Sequence, residues 1–291
     1  MTLPEPQTFS TRLTSLAQRL GLIGRGARQT FLRASALQLP FKPLPAQHDS
    51  IVWQDGPPLY RLVDLPRDAL SGPVQEDKAL AHAALAGVVS IEQYTLQSFD
   101  LRLVDGFSNT LANGASYRTF EDYAASEHCK QVRIISYKDF IRTFSLALPR
   151  YLAGDPIELR QASWRAQRTF WTGEQQGANF AGAIVYARRR GLEVMLPANL
   201  THYRLAPNAL ASLEQRYHVL AMPCEAWNDP AFMGLLLDSG MPYARLSLWK
   251  SAGTPELLLL PKDHPQATAL GEGLRLAGAP DMLTYLHDLA G

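Results

Sequence analysis

Leu192-Glu-Val-Met-Leu-Pro-Ala-Asn-Leu-Thr-His-Tyr-Arg-Leu205 decides the fold class. Its apolar runs, 192–196 and 200–205, predict two short strands in a hairpin-like pair. Before them, residues 174–190 predict a helix whose small residues Gly177, Ala178, Ala181, Gly182 and Ala183 let another backbone come close. That helix ends in Arg188-Arg189-Arg190-Gly191: three cations at the negative terminus and a glycine able to take the left-handed cap. A strand at 157–163 precedes it, and the alternation continues downstream. Helix 208–215, strand 218–222, helix 230–237, a second hairpin-like pair over 244–249 and 256–260, and helices 265–277 and 281–289 follow. Asp229-Pro230 supplies an N-cap and a first-turn proline, and Thr172 with Gln175 and Asp263 with Gln266 have capping-box spacing. Helices alternating with short strands predict an α+β or α/β protein, and the hairpin-like pairs favour a mixed β-sheet over a purely parallel one.

The first half is less regular. Phe9, Leu13, Leu16 and Leu20 recur at helical spacing, and a second helix is predicted over 27–37, before Pro40. Prolines at 40, 43 and 45 then give an extended stretch. The expected organisation is an N-terminal helical arm over 1–38, a linker over 39–50 and a body over 51–291 with an internal boundary at 149–156. Within the body, strands are predicted at 51–54, 59–63, 88–97, 101–104 and 131–137, and helices at 75–86, 119–126 and 139–148. The Gly-, Asn- and Ser-rich stretch 105–116 predicts a long loop.

With 46% apolar and 19% charged residues, the chain of 291 residues is that of a packed globular protein. A net charge of +1 imposes no overall field, so any anionic partner must be met by a local patch. The densest such patch is 6–48, where Arg12, Arg19, Arg25, Arg28, Arg33 and Lys42 meet no acid. Cys129 and Cys224 are expected as free thiols, and no apolar run is long enough to cross a bilayer. Gly21, Gly24 and Arg25 interrupt the only candidate secretory h-region, near Leu20–Ile23, so export is not expected, and the excess of arginine over lysine, 22 to 6, points to a bacterial, cytoplasmic protein. Neither a Walker loop nor a Gly-x-Ser-x-Gly elbow is present. Gly24-x-Gly26 and Gly271-x-Gly273 lack the feeding strand that a dinucleotide site requires. The seven histidines show no paired ligand spacing, so neither a metal nor a cofactor is expected.

Two sets of residues remain as candidate binding sites. In 164–176, Arg165 and Arg168 are placed to clamp an anion near the start of a helix opened by Glu174, with Trp171 beside them. The competing account makes Trp164 and Trp171 core aromatics and Glu174 a complement to the helix dipole. The second set, Arg188, Arg189 and Arg190 with Arg12 and Arg19, suits contact with phosphates or with a protein partner. His128 beside Cys129 reads as an exposed imidazole next to a buried thiol, because adjacent residues point apart.

Ala-x-x-Tyr-Ala-Arg-Arg-Arg-Gly-Leu-Glu within 177–193, Asp-Pro-Ala-Phe-Met-Gly-Leu-Leu-Leu and Pro-Tyr-Ala-Arg-Leu-Ser-Leu within 222–248, Leu-Leu-Leu-Pro-Lys over 258–262 and Leu-Gly-Glu-Gly-Leu-Arg over 270–275 complete the picture. Across roughly the last 120 residues of the chain they resemble an uncharacterised proteobacterial domain family. The resemblance implies no activity, cofactor or catalytic residue. Local basic clustering without a catalytic motif therefore leads to a binding or regulatory protein that engages nucleic acid, another anionic partner or a protein. The alternative is an enzyme acting on a small anionic substrate around Arg165, Arg168 and Glu174.

Overall fold

The computed structural model describes residues 24–46, 49–108, 116–173, 175–237, 240–249 and 253–290. The chain divides into two compact units. The first draws on the described residues up to Leu44, on Leu59–Val88 and on Ala206–Asp288; the second draws mainly on Pro45–Pro58 and Val89–Leu205. In chain order the first unit contributes α1 (Arg25–Ser35), β1 (Leu70–Ser71) and α2 (Gln75–Ala86). The second contributes β2 (Val89–Asp100), β3 (Val104–Phe107), α3 (Phe120–Ala124), α4 (Tyr137–Ala147), β4 (Ile157–Ala162), β5 (Thr169–Trp171), α5 (Gly177–Arg190) and β6 (Met195–Leu205). The chain then returns to the first unit for α6 (Pro207–Arg216), β7 (Tyr217–Met222), α7 (Pro230–Leu237), β8 (Ala244–Leu246), β9 (Glu256–Pro261), α8 (Pro265–Leu276) and α9 (Met282–Ala290). The protein is α+β.

In the first unit an antiparallel sheet runs in the order β1-β8-β9-β7. Leu220 and Met222 of β7 and Leu258 and Leu260 of β9 point to the same side, as a period of two requires, and meet Phe232, Leu235 and Leu236 of α7 and Leu270 and Leu274 of α8. The hairpin-like pair over β8 and β9 forms, with Ala244 opposite Leu259. Helix α1 belongs to this core: Phe31 and Ala34 are buried against α8. Over Arg25–Ser35 the expected N-terminal arm is thus a packed element, and the stripe from Phe9 to Leu20 lies outside the described residues. Gly273 makes the close approach of the two helices possible, since a Cβ there would stand 2.8 Å from the carbonyl oxygen of Phe31. Asp229 caps α7 by accepting from the Phe232 N–H at 2.8 Å. The cap of α8 is His264, whose Nδ1 accepts from the Ala267 N–H, and not the expected Asp263 box.

The second unit is a mixed five-stranded sheet in the order β2-β6-β4-β5-β3, with β6 parallel to β4 and β5 parallel to β3. The expected hairpin over 192–205 is instead one strand, β6, pairing with β2 on one side and β4 on the other. Pro197 lies within this strand. It is tolerated because β2 bulges between Leu96 and Phe99, where a residue unable to donate a ladder hydrogen bond does least harm. On one side of the sheet α5 buries Phe180, Ala181, Ile184 and Ala187 against Ile157, Leu159, Trp171 and Ala198.

Four further expectations are not met. The predicted strand 131–137 has no ladder partner; its apolar residues lie along α5, where a Cβ on Gly182 would meet Val132 Cγ1 at 2.8 Å. Residues 53–55 and 59–62 form 3-10 turns, with a single bridge between Val52 and Phe107 as the only strand-like pairing at the first of them. The proposed boundary at 149–156 falls inside the second unit, between α4 and β4. The capping box at Thr172 is also absent: that hydroxyl donates to the Glu158 carbonyl at 3.1 Å, and α5 opens later, at Gly177.

Candidate functional site

Arg165 and Arg168 are brought to one side by a tight turn in which Ala166 and Gln167 both adopt left-handed backbone, with φ of 49° and 60°. Both guanidinium groups turn inward. Arg165 is only 2% exposed; its Nη2 donates to the carbonyls of Ser50 at 3.0 Å and Val52 at 3.1 Å, and its cation lies 5.0 Å from the centre of the Phe170 ring. Gly56 is required beside it, since a Cβ there would stand 2.5 Å from Nη1. Burial, reinforced by the nearby Arg168 charge, lowers the Arg165 pKa to about 10, so the group still carries its charge at neutral pH. Arg168 forms an ion pair with Asp49 and donates to the carbonyls of Asp105 at 3.1 Å and Arg118 at 2.8 Å. The pair ties 49–56 to the residues that flank the long 105–116 loop.

Trp171 lies elsewhere. It stacks on Phe180 at 4.2 Å in the core and borders a cleft of about 330 Å³ together with Arg150, Asp155 and Glu158; neither Arg165 nor Arg168 lines that cleft. Glu174, Arg12 and Arg19 lie outside the described residues.

The three arginines at the end of α5 separate by helix geometry, successive side chains being turned by about 100°. Arg188 points back into the unit: Nε donates to the Arg102 carbonyl at 2.9 Å, Nη2 to Val104 at 2.8 Å, and Nη1 pairs with Glu121 at 3.1 Å. Arg189 and Arg190 are exposed. Arg190 sits 5.8 Å from the centre of the Tyr186 ring, one turn earlier on the same face. Tyr186 stacks on Phe140 at 5.6 Å, and Phe140 lies 5.9 Å from Tyr137, which is 62% exposed. A ladder of rings thus runs from the outer face of α4 to the cationic end of α5. Lys138 and Arg142 are exposed on α4, four residues apart.

Tyr137, Phe140 and Tyr186 were not among the residues singled out from the sequence. The Tyr186–Arg190 spacing of four on a helix was the available signal; Phe140 and Tyr137 come from a separate helix, which periodicity alone does not bring alongside α5.

His128 is exposed and Cys129 buried, and burial pushes the Cys129 pKa up to about 11, which leaves it a neutral thiol. Among the described residues no group of three His, Cys, Asp or Glu side chains is arranged to hold a metal ion, and no helix is long and apolar enough to cross a membrane.

The chain belongs to the family of unknown function DUF6685, whose sequence pattern matches residues 94–291. The match extends well upstream of the last 120 or so residues in which the resemblance is visible by eye. No curated protein and no solved structure matches the chain.

Proposed function

We propose that this member of a family of unknown function is a non-catalytic binding protein whose second unit takes a single-stranded nucleic acid across the ends of α4 and α5. The observation that carries the reading is the ladder Arg190–Tyr186–Phe140–Tyr137: a cation beside Tyr186, which stacks on the buried Phe140, and a tilted, exposed tyrosine at the far end. Single strands are held by this combination: ring faces accept unstacked bases of any sequence, and flanking guanidinium groups meet the backbone. Arg189, Lys138 and Arg142 supply further exposed cations on the same two helices. Arg165, Arg168 and Arg188 act in this reading as internal ties that hold the platform rigid. A bacterial cytoplasmic setting accords with the arginine-rich composition.

Fluorescence anisotropy with labelled oligo-dT and oligo-rU tests the proposal. Binding is expected at low salt and weakens with a linear log–log slope; replacing Arg189 and Arg190 by alanine removes two phosphate contacts and lowers that slope by about 1.4. Tyr137→Ala is expected to weaken binding about tenfold, in line with the loss of one base-stacking contact. Absence of binding at low salt, or binding indifferent to these variants, rejects the reading in favour of a protein partner.

A further inference from the structure

We infer that the first unit carries a separate site for a small organic amine, in the cleft between the start of α2 and the β7–β9 edge of its sheet. The cleft measures about 330 Å³ and is walled by Pro242, Tyr243, Leu259 and Pro261, with the Asp77 and Asp263 carboxylates and His264 at its polar end. A second hollow of about 390 Å³ continues it, sharing Leu80, Tyr217, Pro261 and Asp263.

Tyr217 is the observation that makes this more than two acids beside a hollow. It opens β7 opposite Pro261, is 8% exposed and lines both hollows, and its hydroxyl has no hydrogen-bond partner among the described residues. Burial raises its pKa, the Asp263 and Asp77 charges add to that effect and Arg216 opposes it, so the hydroxyl stands within electrostatic reach of both carboxylates and remains protonated.

Neither carboxylate is neutralised. Among the described residues Asp77 and Asp263 form no ion pair; Lys262 and Arg216 line the second hollow but not the first, and each spends a donor on α6, Lys262 Nζ on the Glu214 carbonyl at 2.5 Å and Arg216 Nε on Ser212 at 3.2 Å. His264 spends Nδ1 on its cap to Ala267, which leaves Nε2 as the nitrogen that bears hydrogen in the neutral ring. The polar end therefore offers two negative charges and an oxygen acceptor, and the walls offer proline and aromatic surface. An ammonium group has three donors and no acceptor, and an apolar body matches the walls. An anion would meet two unpaired carboxylates.

Phenethylamine is the probe, with 2-phenylethanol as its neutral counterpart, titrated into the full chain and followed by protein-observed NMR and calorimetry. The amine is expected to shift resonances of Tyr217 and Tyr243 and to bind at least about tenfold tighter than the alcohol, the size of one charge-assisted hydrogen bond. Asp77→Asn with Asp263→Asn should abolish that preference, and Tyr217→Phe, which keeps the ring, should weaken the amine about fivefold with little change in melting temperature. If the double variant is unstable, Asp263→Asn alone decides, because Asp263 is exposed on a turn. Equal affinity for amine and alcohol, amine binding unchanged by Asp263→Asn, or no perturbation of Tyr217 at 10 mM phenethylamine, an upper limit of about 3 kcal/mol in affinity, overturns the inference.

Discussion

Gly273 on α8 and Ala34 on α1 are so closely apposed that a Cβ placed on the glycine would stand 2.6 Å from that of the alanine. In an open helix Gly→Ala stabilises by about 1 kcal/mol. Here the clash, which includes the Phe31 backbone oxygen, wins: Gly273→Ala is expected to destabilise by about 1–3 kcal/mol, read as a lowered midpoint in urea. Ala34→Gly in the same chain should restore part of the loss, since it removes one of the two colliding groups.

His218 is buried on β7 with neither ring nitrogen hydrogen-bonded among the described residues and Glu272 3.7 Å away. Burial, aided by the Arg275 and Lys262 charges, lowers its pKa to about 3. The unfolded chain therefore binds a proton near pH 6.5 that the folded chain refuses until about pH 3. Stability from this group is fully present above pH 6.5 and is lost as pH falls toward 3, by at most about 1.4 kcal/mol per unit. His218→Gln should flatten the curve of unfolding free energy against pH between 6 and 4, a span set by the roughly 6.5 reference value. A slope identical to that of the parent protein contradicts the assignment.

The Arg188–Glu121 pair is held by two backbone carbonyls as well as the carboxylate. Arg188→Ala is expected to cost about 2–3 kcal/mol, because it strands a half-buried carboxylate and two acceptors. Arg189→Ala and Arg190→Ala, on exposed positions, should each stay within about 0.5 kcal/mol. Thermal melts of the three single variants separate the structural arginine from the two proposed to face the ligand.

Cys129 and Cys224 should differ sharply toward a thiol reagent. Cys129 is buried with its pKa raised to about 11, whereas Cys224 is half-exposed. One thiol is expected to react with Ellman's reagent in the native protein and two in denaturant.

Local chemistry carried much of the fold into the sequence. Helices α2 and α7 have the predicted bounds, and Asp229-Pro230 marks a real start. What stayed hidden depends on partners distant in the chain. Pro197 breaks no strand because a bulge on β2, a hundred residues earlier, accommodates it. Val132 and Ile134 look like strand residues, yet a glycine on α5 gives them a helix to lie against. At the candidate sites the arginines were visible and their directions were not: whether a guanidinium faces solvent or a carbonyl follows from where Ser50, Val52 and Glu121 come to rest.

Val88 and Ala206, where the chain leaves the first unit and re-enters it, are joined by a backbone hydrogen bond of 2.9 Å. The 117 residues between them are made before β7, β9 or α8 exists. At about 5–20 residues per second that interval lasts on the order of ten seconds. Throughout it, Phe31 and Ala34 on the nascent chain have no helix to dock on, and the second unit can be finished while the first is still waiting for its other half.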